Sequence, residues 1–222
     1  MYKIGTKIVG FIGIKIDRQL LQGQNYLMIQ FGQAVIDRTY RGMSFLPVTI
    51  TKLFAIFWRD FLFGHTYFWA EVLTYNSYLA FAKPLPFFYP SYRHPTPYEI
   101  KEMIDSVGSK QFRAKYNPVL GTICNPFNVV NDFSTEIQTK YLEDKDINFF
   151  TSINARHEEG HGLITIAPAN TRNLYSILKR YVMKYLLPHF WFPRMSLKKE
   201  KPKNQLIPIE KKVNPFDCNV LR

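Results

Sequence analysis

Two histidines and a glutamate stand at a spacing that could bind zinc. His157, Glu158 and His161 match the pattern H-E-x-x-H. On a helix, histidines four residues apart share one face and can both ligate the metal, while the glutamate acts as general base for hydrolysis. The motif makes a zinc-dependent hydrolase one hypothesis for this chain.

The sequence around the motif favours a different structure. Gly160 and Gly162 flank the second histidine, and the apolar stretch 163–167 that follows is typical of a strand. A catalytic zinc needs three protein ligands, but no Asp or Glu follows the motif until Glu200, and the next histidine is His189. A polar loop of a β-hairpin is therefore the favoured interpretation, and the two histidines remain minor metal-binding candidates.

Other catalytic patterns are absent from the sequence. It contains no G-x-x-x-x-G-K-[ST] phosphate loop, no G-x-G-x-x-G dinucleotide fingerprint and no G-x-S-x-G nucleophile elbow. Each of these patterns places backbone amides or a nucleophile against a substrate. We therefore expect that the chain is not an enzyme and that it binds no cofactor.

Aromatic residues are concentrated in one part of a basic chain. Fifteen of its Phe, Tyr and Trp residues lie between Phe54 and Tyr92, and 29 Lys and Arg against 17 Asp and Glu give a formal net charge of +12. Aromatic side chains bury a large area each, and a positive surplus favours phosphate backbones, anionic lipid head groups or acidic protein surfaces. The combination predicts a chain that is completed by a neighbouring surface.

The stretch 61–82 raises the question of a membrane span. It carries one formal charge, Glu71, and a span needs only ~20 apolar residues. An ionised side chain near the middle of a span costs roughly 2.5–3.5 kcal/mol on insertion scales, and three tyrosine hydroxyls add to the polarity of the stretch. An interfacial or protein-buried helix is therefore favoured over a span.

Hydrophobic periodicity predicts mainly helical structure. Leu20, Leu27, Phe31 and Val35 recur at helical spacing, and the same criterion or capping signals predict further helices. The predicted helices cover 18–36, 66–82, 97–107, 133–143 and 171–187, and a helix is one interpretation of 45–63. Only 147–154 and 163–167 are predicted as strands, joined as a hairpin. The predicted fold class is mainly α with a short β-hairpin (α+β), in which amphipathic helices are joined by proline-rich straps.

Proline and lysine content divide the chain into four regions. Residues 1–82 are predicted to form a helical region whose aromatic segments are candidates for membrane association, and the proline-rich stretch 83–96 is predicted to form a linker that cannot continue a helix. Residues 97–193 form a small α+β domain, and 194–222 form a long basic extended tail. The tail is too polar to fold alone and is expected to bind a partner.

These features predict a non-catalytic structural subunit of a large multiprotein assembly. The expected setting is the mitochondrial inner membrane, in a respiratory-chain or ATP synthase complex, with other subunits as partners and with contact to anionic lipid. A ribosomal or other ribonucleoprotein component that binds RNA is the alternative, because basic tails and stacked aromatics also suit RNA. The predicted partner-binding residues are four aromatic residues and four tail lysines: Phe54, Trp58, Trp69, Phe88, Lys198, Lys199, Lys211 and Lys212.

Overall fold

The computed structural model describes residues 1–21, 23–40, 45–63, 65–125, 137 and 139–185. Within these residues seven strands form one mixed sheet in the order β1-β2-β3-β4-β7-β6-β5. The strands are β1 (Tyr2–Ile4), β2 (Lys7–Leu21), β3 (Gln24–Ile36), β4 (His65–Val72), β5 (Tyr116–Asn117), β6 (Thr122–Ile123) and β7 (Gly162–Pro168). The α-helices are α1 (Phe45–Phe63), α2 (Tyr75–Ala82), α3 (Tyr98–Phe112), α4 (Lys145–Ile153) and α5 (Thr171–Tyr185).

One parallel pair at the middle of the sheet determines where α1 lies. β3 and β4 are parallel neighbours, whereas the other pairs of adjacent strands are antiparallel. Parallel neighbours need a crossover connection, usually a helix, and α1 is the helix between them in the chain. The crossover packs α1 on one face of the sheet, where Leu53 and Phe61 are buried.

Helices cover both faces of the sheet. On one face, residues of α1, α2, α4 and α5 pack with alternate residues of the central strands, such as Phe68 and Ala70 of β4. On the other face, α3 packs over Trp69, Met28 and Ile164. Side chains alternate between the faces of a strand, so a central strand contributes to both cores. The result is a three-layer α/β fold.

The prediction of a mainly α fold is therefore wrong, and the largest error lies at 18–36. This stretch contains the end of β2 and all of β3, which form an antiparallel hairpin. Leu27, Ile29 and Phe31 alternate along one face and are buried there, which is the two-residue period of a strand. Gly23 has φ +77° at the turn of the hairpin, a conformation that favours glycine.

The stretch 66–82 is likewise not one helix. Residues through Val72 belong to β4, and α2 begins only at Tyr75. Thr74 caps α2, because its hydroxyl oxygen accepts a hydrogen bond from the Ser77 amide at 3.3 Å. β4 is buried on both faces and so lacks the alternating pattern of a half-exposed strand. In the part of the chain that the structure describes, no helix is long and apolar enough to cross a membrane.

The remaining predicted elements have mixed outcomes. The stretch 147–154, predicted as a strand, is the helix α4, and the Asp144 carboxylate caps it by accepting from the Asp146 amide at 2.9 Å. The structure confirms the helices over 45–63 and 97–107 and the strand over 163–167, as α1, α3 and β7, and α5 confirms the described part of the helix predicted over 171–187. Most of the predicted helix 133–143 lies outside the described residues, and Thr139–Glu143 form a 3-10 helix.

Gly108 does not end α3 as its position after the apolar run suggests. The helix continues to Phe112, and Gly108 is buried within it. A β-carbon at this position would lie 2.4 Å from the Tyr116 ring. The glycine therefore allows the ring to approach α3, where the Tyr116 hydroxyl donates to Asp105 Oδ1 at 2.5 Å.

The proline-rich stretch 83–97 lies against its own chain. The Tyr89 amide donates to the Ile166 carbonyl at 2.7 Å, and the Ile166 amide donates back to the Tyr89 carbonyl at 2.8 Å. Phe88 is fully buried beside Tyr78, with ring centroids 5.4 Å apart. Residues from both sides of this stretch contribute strands to the one sheet, because β4 pairs with β7.

Charged side chains fasten the stretch to α4. One guanidinium nitrogen of Arg93, Nη2, donates to both carboxylate oxygens of Asp146 at 2.8 and 2.7 Å, and Nη1 donates to the Ala82 carbonyl at 2.9 Å. Lys83 donates to Asp144 at 2.6 Å. The Asp146 side chain is almost completely buried, so its charge depends on these partners.

Candidate interaction surface

The outer side of the C-terminal half of α1 exposes four large apolar side chains. We call this set the α1 surface, and it comprises Ile56 (68% exposed), Trp58 (45%), Leu62 (53%) and Phe63 (81%). The opposite side of the helix carries Leu53 and Phe61, which are buried against the sheet. Because α1 already buries one apolar side, a second apolar side has no role in the core of the described chain.

The backbone of α1 changes direction within this surface. Phe57 has non-helical dihedral angles, φ −111° and ψ 28°, so the helix is kinked there. Trp58 and Phe63 lie after the kink and contact each other edge to face, with ring centroids 6.5 Å apart. The kink therefore accompanies the clustering of the two most exposed aromatic rings of α1.

Cations border the α1 surface. The Arg59 guanidinium lies 5.3 Å from the Trp58 ring, within the range of a cation–π contact. Lys52, about two helical turns before Arg59, is also exposed. The nearby acid, Asp60, accepts from both guanidinium nitrogens of Arg18 at 2.7 and 3.1 Å, so its charge is balanced. An apolar patch with a net positive border results.

The structure divides the four aromatic residues predicted to bind partners. Trp58 lies on the α1 surface, and Phe54 is partly buried with its ring 5.5 Å from that of Phe61. Trp69 and Phe88 are buried in the two cores, at 2% and 0% exposure. Both rings pack against their own chain, in the cores on the two faces of the sheet. The tail lysines Lys198, Lys199, Lys211 and Lys212 lie outside the described residues.

Sequence reasoning missed Ile56, Leu62 and Phe63. They lie within the aromatic-rich segment between Phe54 and Tyr92, and Leu62 and Phe63 also belong to the apolar stretch 61–82. Which side of α1 faces outward depends on how the helix packs on the seven-stranded sheet, and the predicted mainly α fold with a short hairpin did not contain that sheet. The sequence feature that could have indicated these residues is that α1 is apolar on more than one side.

The H-E-x-x-H segment forms a tight loop rather than a helix that could place both histidines on one face. His157–Glu159 is a single 3-10 turn, and Gly160 ends it in the left-handed conformation with φ 86°. His157 Nδ1 lies 2.9 Å from the Asn154 carbonyl oxygen. Glu159 accepts from the guanidinium group of Arg156 at 2.5 and 2.8 Å. The side chains of Arg156, His157 and Glu159 thus hold the loop itself.

The metal-binding hypothesis gains no geometric support from this loop. Among residues 1–21, 23–40, 45–63, 65–125, 137 and 139–185, no three His, Cys, Asp or Glu side chains are grouped so that they could hold a metal ion. Burial lowers the pKa of His161, and the Arg156 charge lowers it further, while Glu159 opposes the change. His161 is therefore inclined to be neutral because it is desolvated, which is a property of a packed side chain.

A groove on the α3 side of the sheet has mainly acidic side chains among its charged lining residues, in contrast to the cations beside the α1 surface. It has a volume of about 480 Å³ and lies between α3 and the end of the β2–β3 hairpin. Its walls combine carboxylates with tyrosine rings, a chemistry that suits ammonium or guanidinium groups. The lining residues are Leu21, Tyr26, Tyr98, Glu99, Lys101, Glu102, Met103 and Asp105. The groove was not predicted from the sequence, because its two walls, the β2–β3 hairpin and α3, are far apart in the chain.

The exposed side of α5 is basic. Arg172, Lys179 and Arg180 are exposed, and Tyr175 is exposed between them. The Arg172 guanidinium lies 5.5 Å from the Phe87 ring, which stacks on His94 at a centroid distance of 5.0 Å. Asn170 caps the helix, because its side-chain oxygen accepts from the Asn173 amide at 2.9 Å. This side of α5 can attract anions.

Comparisons of the chain with protein-family models, with curated proteins and with solved structures found no match. The surfaces themselves therefore carry the functional argument. Among them the α1 surface is the least expected in an isolated chain, since several large apolar side chains exposed on one short segment are typical of a site of contact with a protein or a membrane.

Proposed function

We propose that this chain is a non-catalytic structural subunit that rests the α1 surface on a membrane carrying anionic lipid. The setting that we propose is the mitochondrial inner membrane, where the chain would belong to a respiratory-chain or ATP synthase complex. The observation that supports this proposal is the exposure of Ile56, Trp58, Leu62 and Phe63 in the C-terminal half of α1.

The chemistry of the α1 surface suits the boundary between lipid and water. Burying apolar area is worth roughly 25 cal/mol per Å², and tryptophan is enriched at the level of the lipid head groups. Lys52 and Arg59 border the apolar residues, and each cation near an anionic membrane contributes about 1 kcal/mol. Apolar insertion and charge attraction therefore act in the same direction, as in helices that lie in the membrane interface.

Sedimentation with lipid vesicles tests this proposal. We expect the full chain to bind vesicles rich in anionic phospholipid more tightly than zwitterionic ones. Phe63→Glu should weaken the binding about tenfold or more, because it removes an apolar group and adds a repelled charge. Val119→Glu is the matched control, since Val119 is 84% exposed in the turn between β5 and β6 and lies outside the α1 surface.

The proposal fails if the unsubstituted chain stays in solution with anionic vesicles. It also fails if Phe63→Glu and Val119→Glu reduce the binding equally, because the binding would then depend on charge alone. High salt with retained binding would indicate that apolar contact dominates, which is still in accord with the proposal.

A ribonucleoprotein component is the second candidate, and the basic side of α5 is the observation that favours it. Exposed cations beside an exposed Tyr175 could contact phosphates and stack on a base. Binding to a structured RNA should then weaken steeply with added salt and on Lys179→Glu. RNA binding that depends on α5 together with no vesicle binding would favour this candidate over the first.

A further inference from the structure

The strand β2 has a long free edge. β1 pairs with β2 only over Lys7–Gly10, and β3 occupies the other side of β2. Within the described part of the chain, no strand therefore pairs with Phe11–Leu21 on the outer side. Its outward amide and carbonyl groups form a template on which another strand can pair.

This edge carries few of the features that normally prevent pairing. Protected edges are usually short, covered, bulged or charged, or contain proline. Phe11–Leu21 is long, has no proline and exposes Phe11, Ile14, Ile16 and Leu20 to solvent, and its one register shift, between Ile12 and Ile14, lies near its beginning. The charges on the edge are those of Lys15, Asp17 and Arg18. Arg18 is already bound to Asp60, so Lys15 and Asp17 decide which strand can approach.

The sequence of the edge is complementary to itself in one antiparallel register. In a two-fold pair centred on Ile16, Lys15 of each copy lies opposite Asp17 of the other, and Ile16 lies opposite itself. Residues directly opposite each other on paired strands project from the same side of the sheet. In this register a cation therefore lies next to an anion on each side of the two-fold axis. Opposite charges in such positions stabilise a pair, and like charges destabilise it.

Neighbouring registers lose this complementarity. A shift that centres the pair on Lys15 places two lysines opposite each other, and a shift that centres it on Asp17 places two aspartates opposite each other. A two-fold pair centred between two residues would place a residue that projects from one side of the sheet opposite a residue that projects from the other side. The pleat of the sheet does not allow this pairing. The centre at Ile16 is therefore the register that the charges select.

We propose that two copies of this chain pair along Phe11–Leu21 in the antiparallel register centred on Ile16, so that their sheets join into one. We choose a second copy of the chain as the partner because the charges of this edge are complementary to those of the same edge running in the opposite direction. The two-fold axis runs perpendicular to the sheet and leaves its faces unchanged. Both α1 helices then lie on the same side of the joined sheet, so the two α1 surfaces point in one direction.

Charge exchange tests the register, with the mass of the full chain in solution measured by light scattering. We expect a dimer. Lys15→Asp and Asp17→Lys should each place like charges opposite each other and raise the dissociation constant at least about tenfold. The double substitution exchanges the two charges, restores both opposite pairs and should restore the dimer. Lys179→Asp, an exposed change on α5, is the control and should leave the dimer intact.

A cross-link gives a second measurement that does not depend on charge. Ile16→Cys places the two new thiols opposite each other at the axis, within reach of a disulfide. Leu20→Cys places them far apart along the strands. Oxidation should therefore link the first variant into dimers, relative to the unsubstituted chain, and should not link the second.

Three results would overturn the proposal. The first is a monomer at all soluble concentrations. The second is a dimer that the single charge changes do not weaken. The third is a double substitution that leaves the chain monomeric while circular dichroism shows a folded protein. A failure of vesicle binding has no bearing on these results, because the edge and the α1 surface are changed by different substitutions.

Discussion

Trp69 and Trp58 lie close together in the sequence, but the fold treats them in opposite ways. Trp69 belongs to β4, which has helices over both of its faces, and its ring is buried under α3. Trp58 belongs to α1, which has the sheet on one side only, and its ring is almost half exposed. The difference shows that burial depends on the number of layers around an element, and not on the residue type.

The comparison also separates two uses of aromatic residues. Around the central strands and the stretch 83–97, rings such as those of Tyr78, Phe88 and Phe150 pack against each other at centroid distances of 5.4 Å. On α1 the rings of Trp58 and Phe63 contact only each other among the described aromatic residues. The first group stabilises the fold, and the second is available to a partner.

The largest expected effect is the difference in stability between two tryptophan substitutions. Trp69→Ala should lower the free energy of unfolding by about 3–5 kcal/mol, because it leaves a cavity in a packed core. Trp58→Ala should change it by no more than about 0.5 kcal/mol, as is usual for surface positions. Urea denaturation followed by circular dichroism measures both. Equal losses for the two variants would remove the distinction between core and surface.

The next effect concerns the ion pair that fastens the stretch 83–97. Asp146→Asn should lower the free energy of unfolding by about 3 kcal/mol, since Arg93 would keep a partly buried charge without its bidentate partner. Asp144→Asn is the matched control on the same network. Its carboxylate is about one-third exposed, and exposed pairs contribute at most about 1 kcal/mol. A control that costs as much as Asp146→Asn would contradict the assigned roles.

The smallest effect is a pH dependence from the loop that carries the H-E-x-x-H motif. Burial lowers the pKa of His161 in the folded chain, so the unfolded chain binds a proton more readily. The stability that the neutral His161 side chain allows is fully present above the ordinary histidine pKa of about 6.5. It is lost as the pH falls through the lowered pKa of the folded chain. His161→Gln should reduce the slope of unfolding free energy against pH in this window. An unchanged slope would show that His161 is not desolvated.

The sequence carried enough information for some elements and too little for others. α3 and α5 have one apolar side each, with Ile100, Met103 and Ile104 on α3 at helical spacing, and such patterns predict helices well. β4 is buried on both faces, so its residues form a continuous apolar run that a buried helix would also show. The neighbouring strands that distinguish the two cases come from distant parts of the chain.

The β2–β3 hairpin was missed for a related reason. Leu20, Leu27 and Phe31 happen to recur at helical spacing, although Ile14, Ile16 and the other β-branched residues nearby favour a strand. The α1 surface was predictable only in part, because Trp58 was identified and its exposed neighbours were not. Packing against the sheet selects the outward side of α1, and that selection is not written in any single segment.

Fluorescence quenching by brominated lipids tests the α1 surface most directly. Bromine atoms on the acyl chains quench a tryptophan that lies at the membrane boundary, and Trp69 is buried within the fold. The sequence contains a third tryptophan, Trp191, so both measurements use the full chain carrying Trp191→Phe. We predict that anionic vesicles of such lipids quench the fluorescence of this chain, and that adding Trp58→Phe abolishes most of the quenching while vesicle binding is retained. Binding without quenching, or quenching that Trp58→Phe leaves unchanged, would contradict the placement of α1 on the membrane.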